Sequence, residues 1–354
     1  MSKNSNILFS PQTQSNGSAM GIYAQTLYDH IQSILSSPKN STFTNLTVST
    51  HPGTTPDLIH QPFFNPFTFS LPRRPNPQTK IIVTIPDLIP LELPHLFSPG
   101  LKATIIWQLQ KFLLSRRLDY IITISHASKH VIHRLTRFPL DRIFVTHIST
   151  QPGIKSHKAK PPSISKYHLP SKYVLYVGDA YPSKNLPRLA NACLSLQVPL
   201  VMVGHVFTTN PPLHQQTMDL HYLLDLHRKH PDQIIFPGKV PDSDITSIFT
   251  RATLYCQPSY SEGFGMPIVE AMKLGTPLLI ADTPCNAEVS QRHAHFFNPT
   301  SDMELQNQLR RLLADSKYRQ LHLRQAKAAA ASYSWTNAAL GTLAVYQLAL
   351  NEIT

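Results

Sequence analysis

At 354 residues the chain exceeds what one hydrophobic core serves, since single cores stop growing near ~250 to 300 residues, and two domains are expected. A 42% hydrophobic, 15% charged composition is that of an ordinary globular protein; no apolar run nears the ~18 residues of a membrane span, and the amino terminus lacks a signal-peptide pattern, so a cytoplasmic location is expected. The net charge of +12 suits an anionic membrane face or a phosphorylated substrate, but basic residues cluster only at Lys111/Arg116/Arg117, Arg134/Arg137 and Lys155/Lys158/Lys160, without interleaved aromatics, which argues against nucleic acid.

Strands are expected at Asn6 to Ser10, Thr42 to Ser49, Lys80 to Ile85, Tyr120 to Ser125 and Arg142 to His147. Between them, Ala19 to Leu35 and Leu101 to Leu118 carry apolar residues at three- and four-residue spacing, as crossover helices over a parallel sheet do. Gly17 and Gly21 precede a helix expected to begin near Ile22, where their backbone could approach a ligand or simply turn. Gln61 to Gln78 contains Pro62, Pro66, Pro72, Pro75 and Pro77 and is expected to be a long surface loop. His126, His130 and His133 share one helical face, but no cysteine or carboxylate lies beside them in sequence, so a solvated face is expected and no metal site.

The Pro-, Lys- and Ser-rich stretch 151–171 marks a linker. A second alternating series follows, with strands at Tyr173 to Gly178, Leu200 to Gly204, Ile234 to Phe236, Thr253 to Gln257, Pro277 to Ala281 and His295 to Asn298. The expected division is an amino-terminal domain over 1–160, a second over 161–335, and a helix over 336–354 crossing back to the first. Both domains should be α/β and doubly wound. Cys193, Cys256 and Cys285 are odd in number and widely spaced, which suggests neither disulfides nor a thiolate metal site.

Ser259 to Gly275 reads Ser-Tyr-Ser-Glu-Gly-Phe-Gly-Met-Pro-Ile-Val-Glu-Ala-Met-Lys-Leu-Gly. Pro267 suits a helix's first turn, so a helix should run from near Met266 to Gly275. Gly263 and Gly265 then let backbone N–H groups approach a ligand at the helix amino terminus, whose partial positive charge favours a diphosphate or a polar sugar. Glu262 in the loop and Glu270, expected on the first turn, flank this seat and are suited to pairs of hydroxyls. Taken singly, Glu270 is also an acid complementing the helix dipole and Glu262 a solvated loop charge; the glycines and proline between them favour the ligand reading.

This segment resembles the signature of the group 1 glycosyltransferases, glycosyltransferase family 4. Tyr173-Val-Leu-Tyr-Val-Gly-Asp-Ala-Tyr-Pro-Ser-Lys-Asn-Leu resembles the family's first donor-domain strand and loop, and Phe236-Pro-Gly-Lys-Val-Pro-Asp-Ser-Asp-Ile its nucleobase loop. Val83 to Leu91, Ile122 to Lys129 and Tyr333-Ser-Trp335 also resemble family segments. The resemblance implies a GT-B fold, two Rossmann-like domains facing a cleft, and retaining, metal-independent transfer of a hexose, of mannosyl or glucosyl type, from a UDP- or GDP-sugar. No cofactor is implied beyond that donor. The acceptor would be a carbohydrate or lipid-linked, with peripheral contact with a membrane's inner face open.

Carried over by position, Lys184 would contact the diphosphate, Glu270 the ribose, and Glu262 with Gly263, Phe264, Gly265 and Met266 the sugar. Gly178, Val240 and Gly21 would complete the donor site. Lys184 alone also reads as an exposed turn lysine. Two positions depart from the family pattern: Asp179 replaces a common arginine, and Pro86 a common histidine, with His95 and His126 the nearest imidazoles in sequence. A catalytically impaired donor-binding subunit and a sugar-nucleotide epimerase are therefore alternative readings.

Overall fold

The computed structural model describes residues 4–10, 19–37, 42–51, 53, 55–150, 165–238 and 240–352. The chain divides into two compact units: unit 1 is Met1–Glu92, Pro99–Ser149 and Ser334–Thr354, and unit 2 is Leu93–Ser98 and Thr150–Tyr333. Gly17 and most of the expected linker lie outside the described residues.

Unit 1 opens with β1 (Ser5–Phe9), α1 (Ala19–Leu35), β2 (Leu46–Ser49), β3 (Leu58–Gln61) and β4 (Lys80–Thr84). It continues through α2 (Ile89–Glu92), α3 (Leu101–Arg117), β5 (Tyr120–Thr123), α4 (His126–Thr136) and β6 (Ile143–Val145). The strands form one parallel sheet in the order β2-β1-β3-β4-β5-β6. Parallel strands covered on both faces read as apolar runs, and Ile81 to Val83 and Ile121 to Ile122 are fully buried. Helix α1 has the expected bounds, so Gly21 sits inside its first turn instead of preceding it.

Unit 2 contains β7 (Val174–Val177), α5 (Leu186–Ser195), β8 (Leu200–Val203), α6 (Met218–Lys229), β9 (Ile234–Ile235), α7 (Asp242–Arg251) and β10 (Leu254–Gln257). Then come α8 (Met266–Leu274), β11 (Leu278–Ala281), α9 (Pro284–Val289), β12 (His295–Phe297), α10 (Asp302–Ala314), α11 (Ser316–Arg319) and α12 (Leu323–Ala329). All six expected strands are present, in the parallel order β12-β11-β10-β7-β8-β9. Counted within the unit this is 6-5-4-1-2-3, the doubly wound Rossmann order, whose winding reverses between β7 and β10. The last helix, α13 (Trp335–Asn351), belongs to unit 1, where Tyr23 packs on Trp335 at 6.0 Å between ring centres.

Strand β3 was not expected. Its His60 is fully buried; Nδ1 pairs with the Tyr346 hydroxyl at 2.6 Å and Nε2 with Thr84 Oγ1 at 2.9 Å, joining β3, β4 and α13. Burial penalises the imidazolium and lowers the His60 pKa to about 3. Protons therefore bind the unfolded chain in preference below pH ~6.5, so this contribution to stability is complete above that pH and is lost as pH falls toward 3. Each pH unit in that window should cost up to about 1.4 kcal/mol at this site. Urea unfolding from pH 7 to 4 checks this: His60→Gln should show a shallower loss with acid than wild type, and parallel curves would refute it.

Candidate functional site

The loops leaving β7 and β10 meet where the winding of unit 2 reverses, the place at which open α/β sheets hold ligands. Strand β7 exits through Gly178, whose φ of 145° favours glycine and where a Cβ would stand 2.9 Å from the Tyr176 hydroxyl. That hydroxyl donates to the Asp179 carbonyl at 2.6 Å, and the Asp179 side chain is exposed. The neighbouring exit, from β8, runs so close that a Cβ on Gly204 would lie 2.2 Å from the Gly178 carbonyl oxygen.

Three consecutive residues then stitch this loop to the one after β10. The Ser183 carbonyl accepts from the Tyr260 N–H at 2.8 Å. Asn185, left-handed with φ 55°, donates from Nδ2 to the carbonyls of Pro258 at 3.1 Å and Pro299 at 3.0 Å. Between them, the Lys184 ammonium donates to both oxygens of Glu262, at 2.9 Å to Oε1 and 2.7 Å to Oε2. Left-handed backbone at Asn185 is what lets neighbouring side chains reach the same loop, since asparagine tolerates that conformation.

Glu262 is a buried carboxylate, with a side chain only 7% exposed. Its Oε1 also accepts from Gln257 Nε2 at 2.5 Å and Ser259 Oγ at 2.6 Å. Gln257 Nε2 donates to Ser259 Oγ at 2.7 Å as well, and its Oε1 accepts from the Tyr255 hydroxyl. A carboxylate offers about four acceptor positions, so these donors fill most of them and fix its plane. Burial holds the Tyr255 and Tyr176 phenols well above their ordinary pKa, with the negative charge of Glu262 adding to both shifts, so each remains a donor.

Helix α8 begins after Gly265 and ends before Gly275, both left-handed, at φ 85° and 75°. Met266 and Pro267 occupy its first positions. Glu270 is buried, but it is the fifth residue of the helix and lies in the second turn, because Met266 already counts as the first. Its charge opposes the fall in pKa that burial imposes on Lys273, whose Nζ donates to the Tyr333 carbonyl at 3.2 Å. Phe264 is buried and meets Tyr333 edge to face at 5.4 Å.

Lys184, Glu262 and the Gly263 to Met266 turn are thus brought together, with Gly178 at the start of the same loop. Val240 lies half-exposed in the turn after β9, a strand separated from β7 by β8. Gly21 belongs to unit 1. Sequence reasoning gave no role to Gln257, Ser259 or Tyr255. The available signal was polar residues at alternate positions at the end of an otherwise apolar strand, followed by an acid.

In unit 1 the Pro86 carbonyl accepts from Thr123 Oγ1 at 3.3 Å. His126 and His130 are exposed, and the His133 ring bonds the Phe138 carbonyl at 2.8 Å. His95 is exposed and belongs to unit 2. All three cysteines are buried and none forms a disulfide; the Cys285 thiol donates to the Phe264 carbonyl at 3.5 Å. No helix among the described residues is long and apolar enough to cross a membrane.

Residues 162–330 match the family model described as glycosyl transferases group 1. Over 237 residues the chain is 28% identical to the O-antigen chain mannosyltransferase B of Escherichia coli, a match covering 64% of this chain and 60% of that protein. Among solved structures, a sucrose-phosphate synthase from Thermosynechococcus elongatus aligns over 97% of this chain and 98% of its own, with TM-score 0.72 and 16% identity. Anabaena Alr3699/HepE in complex with UDP and glucose aligns over 97% and 99%, with TM-score 0.65 and 16% identity. At these identities the structural likeness shows the fold alone, the GT-B class of two doubly wound α/β units.

Proposed function

We propose that this chain, whose residues 162–330 belong to the group 1 glycosyltransferases, moves a mannosyl group from a nucleoside-diphosphate sugar to a growing carbohydrate or lipid-linked acceptor. The observation that carries this reading is the buried Lys184–Glu262 pair, set at the winding reversal of unit 2 beside the glycine turn that opens α8. The likeness to a mannosyltransferase supports the choice of sugar, and the neighbour solved in complex with UDP and glucose supports a nucleotide donor.

Cleavage of the donor leaves negative charge on the departing diphosphate. An ammonium at Lys184 and the amino end of α8 are suited to meet that charge, a task that needs no metal in this reading. Glu262, fixed by Gln257 and Ser259, has the orientation to accept hydrogen bonds from sugar hydroxyls, and buried Glu270 would take the ribose. Donor entry then shares Lys184 between the diphosphate and Glu262. Retention of anomeric configuration belongs to the same proposal: the leaving diphosphate can take the acceptor's proton on its own face, so no side-chain base is required. We place this reaction in the cytoplasm, consistent with three buried cysteines that form no disulfide.

A thermal-shift series with UDP- and GDP-hexoses tests the reading. One donor at a hundredfold excess over its Kd should stabilise the protein by about 2.7 kcal/mol. Glu270→Ala should remove that rise, and a flat response to every sugar nucleotide would end the proposal. Asp179 and Pro86 favour a second reading, a donor-binding subunit without turnover. A donor that raises the melting point yet releases no nucleoside diphosphate with any glycan acceptor would select it.

A further inference from the structure

His126 meets another imidazole across the sheet of unit 1, not along its own helix. Strands β5 and β6 run parallel with Thr123 opposite Val145, and the Thr146 N–H donates to the Thr123 carbonyl at 2.8 Å. The two chains then leave the carboxyl edge of the sheet side by side, and each places a histidine there, His126 after β5 and His147 after β6. A nitrogen of one ring lies within 4.8 Å of a nitrogen of the other, and the ring centres are 5.6 Å apart with planes at 64°.

Both backbones are held in place. Ser125 is fully buried and caps α4, its Oγ accepting from the Ser128 N–H at 3.0 Å, which fixes His126 as the first residue of the helix. His147 is half-buried between the buried Thr146 and Ile148. His126 is exposed, so its ring can turn toward its neighbour. Histidine is the commonest metal ligand. An imidazole bound to zinc at ~2.1 Å sets its ring centre about 3.2 Å from the ion, so two at the tetrahedral angle stand about 5.2 Å apart. The observed 5.6 Å is close to that spacing.

We propose that His126 and His147 form a binding site for zinc, with water in the remaining coordination positions. Imidazole nitrogen selects zinc, copper or nickel over magnesium and calcium, which take oxygen ligands. An ion held by both rings clamps the exit of β5 to the exit of β6 and fixes the start of α4. The three histidines that share a face of α4 are not the set: the His133 ring bonds the Phe138 carbonyl, and the second ligand comes from another strand. Both ligands belong to unit 1, whereas Lys184, Glu262 and Glu270 belong to unit 2, so zinc binding is measured independently of the proposed transfer.

Calorimetric titration of the full chain with zinc chloride tests it, alongside magnesium chloride, which should give no binding. His126→Gln and His147→Gln should each weaken the zinc site by more than about tenfold, the least that even loss of a residue supporting a metal ligand costs. His130→Gln, an exposed histidine on the same helix, should leave it unchanged. Copper(II) at substoichiometric loading gives a second readout that needs no variant to fold. Its paramagnetic resonance spectrum should show coupling to two nitrogens in the unaltered protein, and to one in either variant. Zinc affinity unmoved by both ligand substitutions, an equal loss in His130→Gln, or copper coupled to fewer than two nitrogens in the unaltered protein would each overturn the proposal.

Discussion

Lys184→Ala should lower the rate of sugar transfer by about 10² to 10³, the usual effect of losing one donor aimed at developing charge. It should also destabilise the fold. Removing the ammonium leaves the Glu262 carboxylate buried on two neutral donors, Gln257 and Ser259, and an uncompensated buried charge costs about 3 to 5 kcal/mol. The Lys184 side chain is 19% exposed, so water can enter behind the substitution and the lower end, about 3 kcal/mol, is expected. Adding Glu262→Gln should recover most of that stability, because the orphaned charge disappears, and none of the activity. Urea unfolding and initial rates on the two single variants and the double variant separate these effects. Independent, additive losses would show that the pair is not a unit.

Gly204→Ala should be the most disruptive single-methyl addition in unit 2. At φ 175° the backbone of Gly204 is open to any residue, so the whole effect is steric. The new Cβ would lie 2.2 Å from the Gly178 carbonyl oxygen and 3.2 Å from the Phe207 ring, and the oxygen, being backbone, cannot swing aside. Overpacking ordinarily costs about 1 to 3 kcal/mol, and backbone displacement puts this case at the top of that range or above. The strain falls on the strand exit that leads to Lys184, so donor binding should weaken along with stability. Gly275→Ala is the control: its Cβ meets nothing within 4 Å, and only the left-handed φ of 75° opposes it, at about 1 kcal/mol. A urea midpoint for Gly204→Ala no lower than that of Gly275→Ala would refute the account.

Much of the scaffold was legible because its signals are local. The bounds of α1 follow from apolar spacing, and those of α8 from Pro267 at its start and Gly275 at its end. Strand β3 was hidden because Pro56 and Pro62 bracket it and His60 and Gln61 are polar. Those two side chains are satisfied only by distant or loop partners, His60 by Tyr346 and Thr84 and Gln61 by the Phe63 carbonyl. The residue types of the site were visible, but its wiring was not. Lys184 and Glu262 stand 78 positions apart, and no periodicity encodes a contact across that separation. Gln257 and Ser259 looked like the unremarkable end of a strand until the fold turned both toward one carboxylate.

The return of α13 to unit 1 sets an order on synthesis. A ribosome has joined all of 150–333, the larger segment of unit 2, before Tyr346 exists, while His60 was made 286 residues earlier. The nascent amino-terminal half therefore emerges with its imidazole unpartnered on that side, and its final docking must wait for the carboxyl-terminal helix.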